Sequence, residues 1–413
     1  MSAQRFNSGK CDVLLGVDAY PPWSGGSRVY YDNLYRRLAR DHGLFVHVLA
    51  SHCAGDRAYD EETQTPRLSI QRHGQRLPDW KLHRAPRILE KSLYLLHTAA
   101  RLRPAALHCG DLFPQDLAGM AARACMHLPL LIFVHGDEIS QTNGRRLQPI
   151  VRNMIYRAAH AIVAANTYAY ERVVAICGSA SRITMITPGV DPSAFHPGGR
   201  PAWIAQQYGL GDGPVVVTIG RLVRKKGHET VLRSLPIVRK SFPQLKYLIV
   251  GGGPEEDRLR QLTRDLELND CVRFTGDVPH NSLSDFYLAG DVFCMVNQQD
   301  ASGDVESFGI VFIEAGAAGK PVIGGRSGGT GQSILDESTG FLCEPGNERE
   351  LAARLILLFQ SRELREQMGQ AGMFRARHEF NWESRANQLY EVHQSIAAAG
   401  QSRFLGRRTW AQQ

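Results

Sequence analysis

Short apolar, β-branched runs alternate with helical patterns along this chain, and the alternation is interrupted once. In the first half the runs are VLLGVDAY from residue 13, FVHVLAS from 45, ALHCG from 106, PLLIFVHG from 129 and AHAIVAAN from 159. Runs this continuously apolar are covered on both faces, and strands separated by helices pair in parallel, so the pattern predicts βαβ units. A Pro/Gly-rich segment at 187–201, TPGVDPSAFHPGGRP, reads as an interdomain linker. The rhythm then restarts with VVVTIG at 215, YLIVGGG at 247, VRFTG at 272, DVFCMVN at 291 and PVIGG at 321, separated by helical stretches such as 227–241, 254–268 and 308–318. Two doubly wound α/β domains, 1–195 and 196–378, are expected to face each other across a cleft, with ligands at the carboxyl ends of the strands.

Composition narrows the class. With 413 residues, 43% of them hydrophobic and 22% charged, the chain can bury a large core, which excludes a disordered or fibrous protein. The eight cysteines stand singly, without the paired spacings of zinc or redox sites, and fit a reducing cytoplasm. The first apolar run, Val13 to Val17, ends at Asp18, so no signal peptide or spanning segment is expected. The net charge of +7 favours acidic partners, and one stretch carries an equal excess: between Arg67 and Arg103, nine Lys/Arg face only Asp79 and Glu90. Trp80 and a helical pattern of Ile88, Leu89, Leu93, Leu96 and Ala100 accompany these cations, which suits docking on an anionic membrane surface as well as an ordinary basic helix face. No nucleic-acid partner is expected.

The chemistry concentrates after two strands of the second half. GRLVRKKG, 220–227, follows VVVTI, so Arg221 and Lys226 leave a strand's carboxyl end in a glycine-bounded loop; a forked guanidinium and a mobile ammonium suit a diphosphate. In GDVESFGIVFIEAGAAGKP, 303–321, Glu306 and Glu314 are eight positions apart, a spacing of about 12 Å along a helix and near the span from a ribose to a sugar joined through a diphosphate. Glu314 lies in an otherwise apolar helix and needs a partner, either a ribose diol or a buried ion pair. The amides of Phe308, Gly309 and Ile310, at that helix start, are available to sugar or phosphate oxygens. GGRSGGTGQ, 324–332, is a further glycine-rich turn, carrying Arg326. The turn LIVGGGPEEDRL, 248–259, lacks the GxGxxG spacing and opens its helix with three acids, which repel a pyrophosphate, so it is assigned to structure.

In the first half, Gly25 and Gly26 in PPWSGGSRVYYDNL precede a helix whose first turn holds Arg28 and no acid, a loop able to close on phosphate. His135 ends the run PLLIFVHG, where a histidine can orient a hydroxyl or share a proton. Asp304-Val305-Glu306 is the one acidic metal-like motif, and it competes with a sugar-binding Glu306; no metal is expected.

These motifs together, GRLVRKKG, ESFGIVFIEA, ITPGVDPSAFHP and GGSR, with HGDE in support, resemble family four of the retaining glycosyltransferases from about residue 12 to 398, and within it bacterial mannosyltransferase-like and glycolipid-assembling members. The resemblance implies a GT-B fold. It implies that Arg221 and Lys226 bind the donor diphosphate, Glu314 the ribose, and Glu306 with the Phe308, Gly309 and Ile310 amides the transferred sugar. It further implies that the Gly25-Gly26 loop approaches donor phosphate and acceptor, that His135 contacts the sugar, and that backbone near Val278 meets the base. A final helix, 379–413, containing FNWESRANQLYEVHQ, is expected to return to the first domain. The implied reaction moves a sugar from a UDP- or GDP-linked donor to a lipid-linked, glycolipid or polysaccharide acceptor, with retention and without a cofactor, by a cytoplasmic enzyme that is peripheral to a membrane at most. The alternatives are a GT-B epimerase or phosphorylase and a non-catalytic nucleotide-sugar-binding protein.

Overall fold

The computed structural model describes residues 11–23, 25–76, 85–110, 112–140, 147–301 and 303–410. The chain divides into two compact units, 1–187 with 382–413, and 188–381. Both boundaries differ from those expected, 195/196 and 378/379. The reason lies in the linker: Val190 and Phe195 are buried in the second unit's core, and the Val190 amide donates to the Phe380 carbonyl at 2.7 Å, so 188–195 and 379–381 belong to that unit.

The first unit is a seven-stranded parallel sheet in the order β3-β2-β1-β4-β5-β6-β7. Its strands are β1 (Val13–Gly16), β2 (Val46–His52), β3 (Leu68–Gln75), β4 (Ala106–Cys109), β5 (Leu130–Val134), β6 (Ala161–Ala164) and β7 (Ile183–Met185). β1, β4, β5 and β6 are buried throughout, as their unbroken apolar sequences require. β3, at the sheet edge, lies in the basic stretch and is not among the expected strands; its second half, QRHGQ, is half-buried or exposed, so it lacks the apolar signature of the central strands. The helix Trp382–Trp410 starts beside the second unit's last residue and buries Trp382, Leu389 and Ile396 in the first unit's core.

The basic stretch behaves differently from expectation. The side chains of Arg72 and Lys91 are turned inward and ion-paired, Arg72 with Asp60 at 2.6 Å and Lys91 with Asp18 at 2.5 Å. The helix Ala85–Leu102 turns Ile88, Lys91, Leu95, Thr98 and Ala99 inward, whereas Leu89 and Leu93 are 60% and 55% exposed. Of the basic stretch, residues 77–84, with Trp80 and the cations Lys81 and Arg84, lie outside the described residues.

The second unit is a six-stranded parallel sheet, β10-β9-β8-β11-β12-β13, formed by β8 (Val215–Ile219), β9 (Lys246–Val250), β10 (Val272–Phe274), β11 (Val292–Met295), β12 (Val322–Gly325) and β13 (Gly340–Cys343). The short, edge-lying β13 is another strand that sequence periodicity left unassigned. Apolar clusters fill both sides of this sheet. Among the described residues, no helix is long and apolar enough to cross a membrane.

Candidate active site

The second unit gathers its charged groups past the carboxyl ends of β8, β11 and β12. After β8 the chain runs through Gly220 and an exposed Arg221 into a single turn, Arg224–Lys226, and then the helix His228–Arg239. Gly227 joins turn to helix at φ 68°, and a Cβ there would strike the Val296 carbonyl, so only glycine lets this loop lie against the end of β11. Lys226 Nζ donates to Glu306 Oε2, and Lys225 Nζ pairs with Asp304 Oδ2 at 2.8 Å. Two lysines of the first motif therefore meet two acids of the second.

Burial alone would raise the Glu306 carboxyl; the charge and hydrogen bond of Lys226, the charge of Lys225 and the Gly309 amide together hold it below the usual carboxylate range. The pair side chains are only 16% and 12% exposed, which strengthens this coupling. The expected trio of free amides is thus corrected: the Gly309 amide is turned to Glu306, while those of Phe308 and Ile310 have no backbone acceptor among the described residues.

Glu314 sits in the helix Ile310–Ala317 and is 7% exposed. Desolvation pushes its carboxyl up to about 7, against the opposing hydrogen bond that Tyr287 donates to Glu314 Oε2 at 2.6 Å. Tyr287 is the functional neighbour that sequence reasoning missed; its only signal was a polar atom in the apolar pattern FYLA, shared with many core tyrosines. Of the partners expected, a buried cation is not the one the protein supplies: the Tyr287 hydroxyl takes that place.

Surrounding loops fix this geometry. Asn297 donates to the Ser327 carbonyl and Thr330 Oγ1 and accepts from the Gly325 amide, tying the end of β11 to that of β12. A Cβ at Gly329 would collide with the Ser307 carbonyl, and the Gly329 amide donates to the Glu306 carbonyl at 2.9 Å. Arg326 leaves this site for Asp336 and Glu344, each at 3.1 Å. The turn at 251–253 buttresses the basic loop: the Leu222 amide donates to the Gly252 carbonyl, and the Glu255 amide to the Leu222 carbonyl. Val278, half-buried, follows β10 beside Asp277, which accepts from the Gly252 amide at 2.8 Å.

In the first unit, Gly25 caps the helix Gly26–Asp41 at φ 137°, a conformation that disfavours side chains, and the Arg28 side chain folds back over it. Five residues into that helix, Tyr30 and Tyr31 hold His135 between their rings, with centroids 5.4 and 5.3 Å away in edge-to-face contact. Tyr31 Oη donates to the Gly110 carbonyl at 2.7 Å and lies 2.7 Å from His135 Nε2. With its proton committed to Gly110, the hydroxyl accepts from Nε2–H, which makes Nδ1 the acceptor nitrogen of His135. Asn166, the cap of the helix Thr167–Cys177, holds the His135 carbonyl at 2.7 Å. The glycine loop and His135 thus share one support, the paired tyrosines. Among the described residues, no group of three or more His, Cys, Asp or Glu is placed to hold a metal ion.

The helix starts only at Ile310, so Glu306 lies in the loop before it and the expected spacing of the two glutamates along one helix does not hold. Two parallel Rossmann-like sheets, with a basic loop and both glutamates past the strand ends of the second, define a GT-B glycosyltransferase. Residues 202–373 match the family "Glycosyl transferases group 1", and residues 24–194 match "Glycosyltransferase Family 4". The GDP-mannose-dependent α-(1-6)-phosphatidylinositol monomannoside mannosyltransferase of Mycolicibacterium smegmatis is 30% identical over 387 residues, covering 92% of this chain and 97% of that one. The protein of the same description from Mycobacterium tuberculosis H37Rv is 30% identical over 392 residues, covering 94% and 99%. The chain belongs to glycosyltransferase family 4. In fold it is similar to Anabaena HepE in complex with UDP, at a TM-score of 0.78, 19% identity and coverage of 93% and 100%, and to sucrose-phosphate synthase of Thermosynechococcus elongatus, at 0.77, 22%, 94% and 100%.

Proposed function

We propose that this glycosyltransferase moves mannose from GDP-mannose to a phosphate-bearing glycolipid acceptor, with retained anomeric configuration. The donor and acceptor class rest on the two relatives at 30% identity over nearly the whole chain. The observation that carries the reaction is the pairing of Lys226 with Glu306 beside Arg221. It sets a cation at the strand end, where a departing diphosphate needs charge, and a carboxylate kept ionised next to it, where a sugar hydroxyl needs an acceptor. In this reading Arg221 and Lys226 take the diphosphate and Glu314 the ribose. Glu306 and the amides of Phe308 and Ile310 take the sugar, and Val278 lies beside the base.

Donor binding draws Lys226 partly from Glu306 to the phosphate, which frees the carboxylate for the sugar. His135, with Nδ1 as acceptor, is assigned a sugar hydroxyl and the Gly25-Gly26 loop a phosphate, as the family resemblance implies. As the glycosidic bond to phosphate breaks, the leaving phosphate oxygen takes the acceptor's proton, so a strong side-chain base is unnecessary. The cations carry the leaving-group charge, and transfer is expected to persist in excess chelator.

Attachment to an anionic membrane is part of the proposal. Exposed Leu89 and Leu93, one turn apart on one helix face, support it. Incubation with GDP-mannose and a lipid extract tests the reaction: a mannosylated lipid supports it, whereas a free epimerised sugar or unchanged donor supports the epimerase or the binding protein.

A further inference from the structure

The first unit has an open cavity of about 510 Å3 at the carboxyl ends of β2 and β3, lined by Trp23, His52, Arg57, Gln75 and Arg76 with the 53–56 turn. Its volume is that of a small-ligand site. Its chemistry is one-sided. Neither Arg57 nor Arg76 makes an ion pair among the described residues, whereas Arg72, at the same strand end, is paired with Asp60. The acid in the lining, Asp56, is already taken by His52 Nδ1 at 2.7 Å and by the Cys53 amide. The Arg76 guanidinium lies over the Trp23 ring, 5.4 Å from its centroid, and the Trp23 indole N–H is buried with no acceptor among the described residues. Two guanidiniums without an ion pair among the described residues and an indole N–H donor in one cavity suit an anion with several acceptor oxygens.

The walls are pre-organised. Arg72 donates to the Pro21 carbonyl at 2.6 Å and to the Ser51 carbonyl at 3.3 Å while paired with Asp60, and Lys91 ties Asp18 to Ser51. Buried charges thereby lock the loop bearing Trp23 to the ends of β2 and β3, and that loop leads directly into Gly25. An occupant of the cavity therefore lies within the same unit as the glycine loop, two residues of chain from it.

We propose that this cavity binds the phosphate of a phosphorylated polyol, the headgroup of the acceptor. The proposal rests on the glycolipid-transfer reading above and specifies where the acceptor is held. Arg57 and Arg76 grip phosphate oxygens, the Trp23 N–H donates to a third, and the indole face packs on the polyol ring. The phosphate anchors the acceptor so that a ring hydroxyl extends toward the glycine loop.

Calorimetric titration of the full chain with myo-inositol 1-phosphate and with myo-inositol tests this, with GDP titrated separately. The phosphate ester is expected to bind about tenfold or more tightly than the polyol, the contribution of charge-assisted hydrogen bonds. The Arg57→Gln/Arg76→Gln variant should remove that difference while its GDP affinity is unchanged, which also reports that it is folded. Trp23→Phe, which keeps the ring and deletes the donor, should lose part of it. Equal binding of ester and polyol, or an ester affinity untouched by the double variant, would overturn the proposal. So would equal losses of binding to phosphatidylinositol and phosphatidylserine vesicles, which would assign both arginines to general membrane attraction. A chain that binds the ester yet transfers no sugar removes the proposed reaction and leaves the cavity standing.

Discussion

Tyr287 donates its hydroxyl to Glu314 at 2.6 Å, joining the helix Leu283–Ala289 to the helix Ile310–Ala317 through a buried carboxyl raised to about 7. The unfolded chain releases this proton near 4.5, so between about 4.5 and 7 the fold holds a proton that the unfolded chain has lost, and stability falls as pH rises through that window. Glu314→Gln should abolish this decline, worth roughly 3 kcal/mol by pH 8. Urea denaturation at pH 5 and pH 8 measures it, and parallel curves for variant and wild type at both pH values would contradict it. The same variant should weaken GDP binding, as Glu306→Gln should not.

Breaking the Lys226–Glu306 pair from one side leaves a nearly buried charge alone. Lys226→Ala is therefore expected to cost up to roughly 3 kcal/mol of stability, with part returned in Lys226→Ala/Glu306→Gln. For the donor, Lys226→Ala and Arg221→Ala should each lower affinity and turnover about tenfold or more. Arg221 is exposed and makes no ion pair among the described residues, so Arg221→Ala should leave stability unchanged. A double-mutant cycle in denaturant, beside donor titrations, separates the two effects.

Buried histidines set the acid limit. Desolvation lowers His47, His228 and His393 to about 4 and His108 further, and His108 lies between Tyr35 Oη at 2.6 Å and His393 Nδ1 at 3.3 Å. Each is neutral in the fold and charged in the unfolded chain below 6.5, so their stability contribution is present above 6.5 and lost as pH falls toward 4. Melting temperatures from pH 7.5 to 4.5 should drop steeply, and His393→Gln should make the slope shallower. An unchanged slope would remove this pair from the acid response.

The exposed leucines give the membrane proposal a sharper test than the basic stretch as a whole, because Lys91 is committed to Asp18. Leu89→Ser/Leu93→Ser and Arg87→Gln should each reduce cosedimentation with anionic vesicles at low salt, while Lys91→Gln should act through folding alone. Equal binding to anionic and neutral vesicles would contradict attachment.

Both sheets were legible because their central strands are buried on both faces and so carry unbroken apolar runs such as LLIFV and VVVTI. β3 was not, since LSIQRHGQ faces solvent at its end, and neither was the four-residue β13. The site was legible in part: the spacing of Glu306 and Glu314 suggested a common ligand, but Lys226 meeting Glu306 depends on how β8 and β11 lie side by side. Tyr287, Tyr31 and the individual roles of Arg57 and Arg76 carried no distinguishing signal, because a tyrosine hydroxyl in a core and an arginine in a loop look alike in sequence whatever they face. Lys91 misled for the same reason, since its partner Asp18 is 73 positions away and only the fold brings them together.

The stereochemistry of the product tests the central claim most directly. Proton NMR of the glycoside formed from GDP-α-mannose and a phosphatidylinositol-type acceptor, with excess chelator present, should show a single α-linked mannose. A β-linked product, or GDP released with no glycoside formed, would contradict a retaining transferase whose cations and paired glutamates perform the transfer.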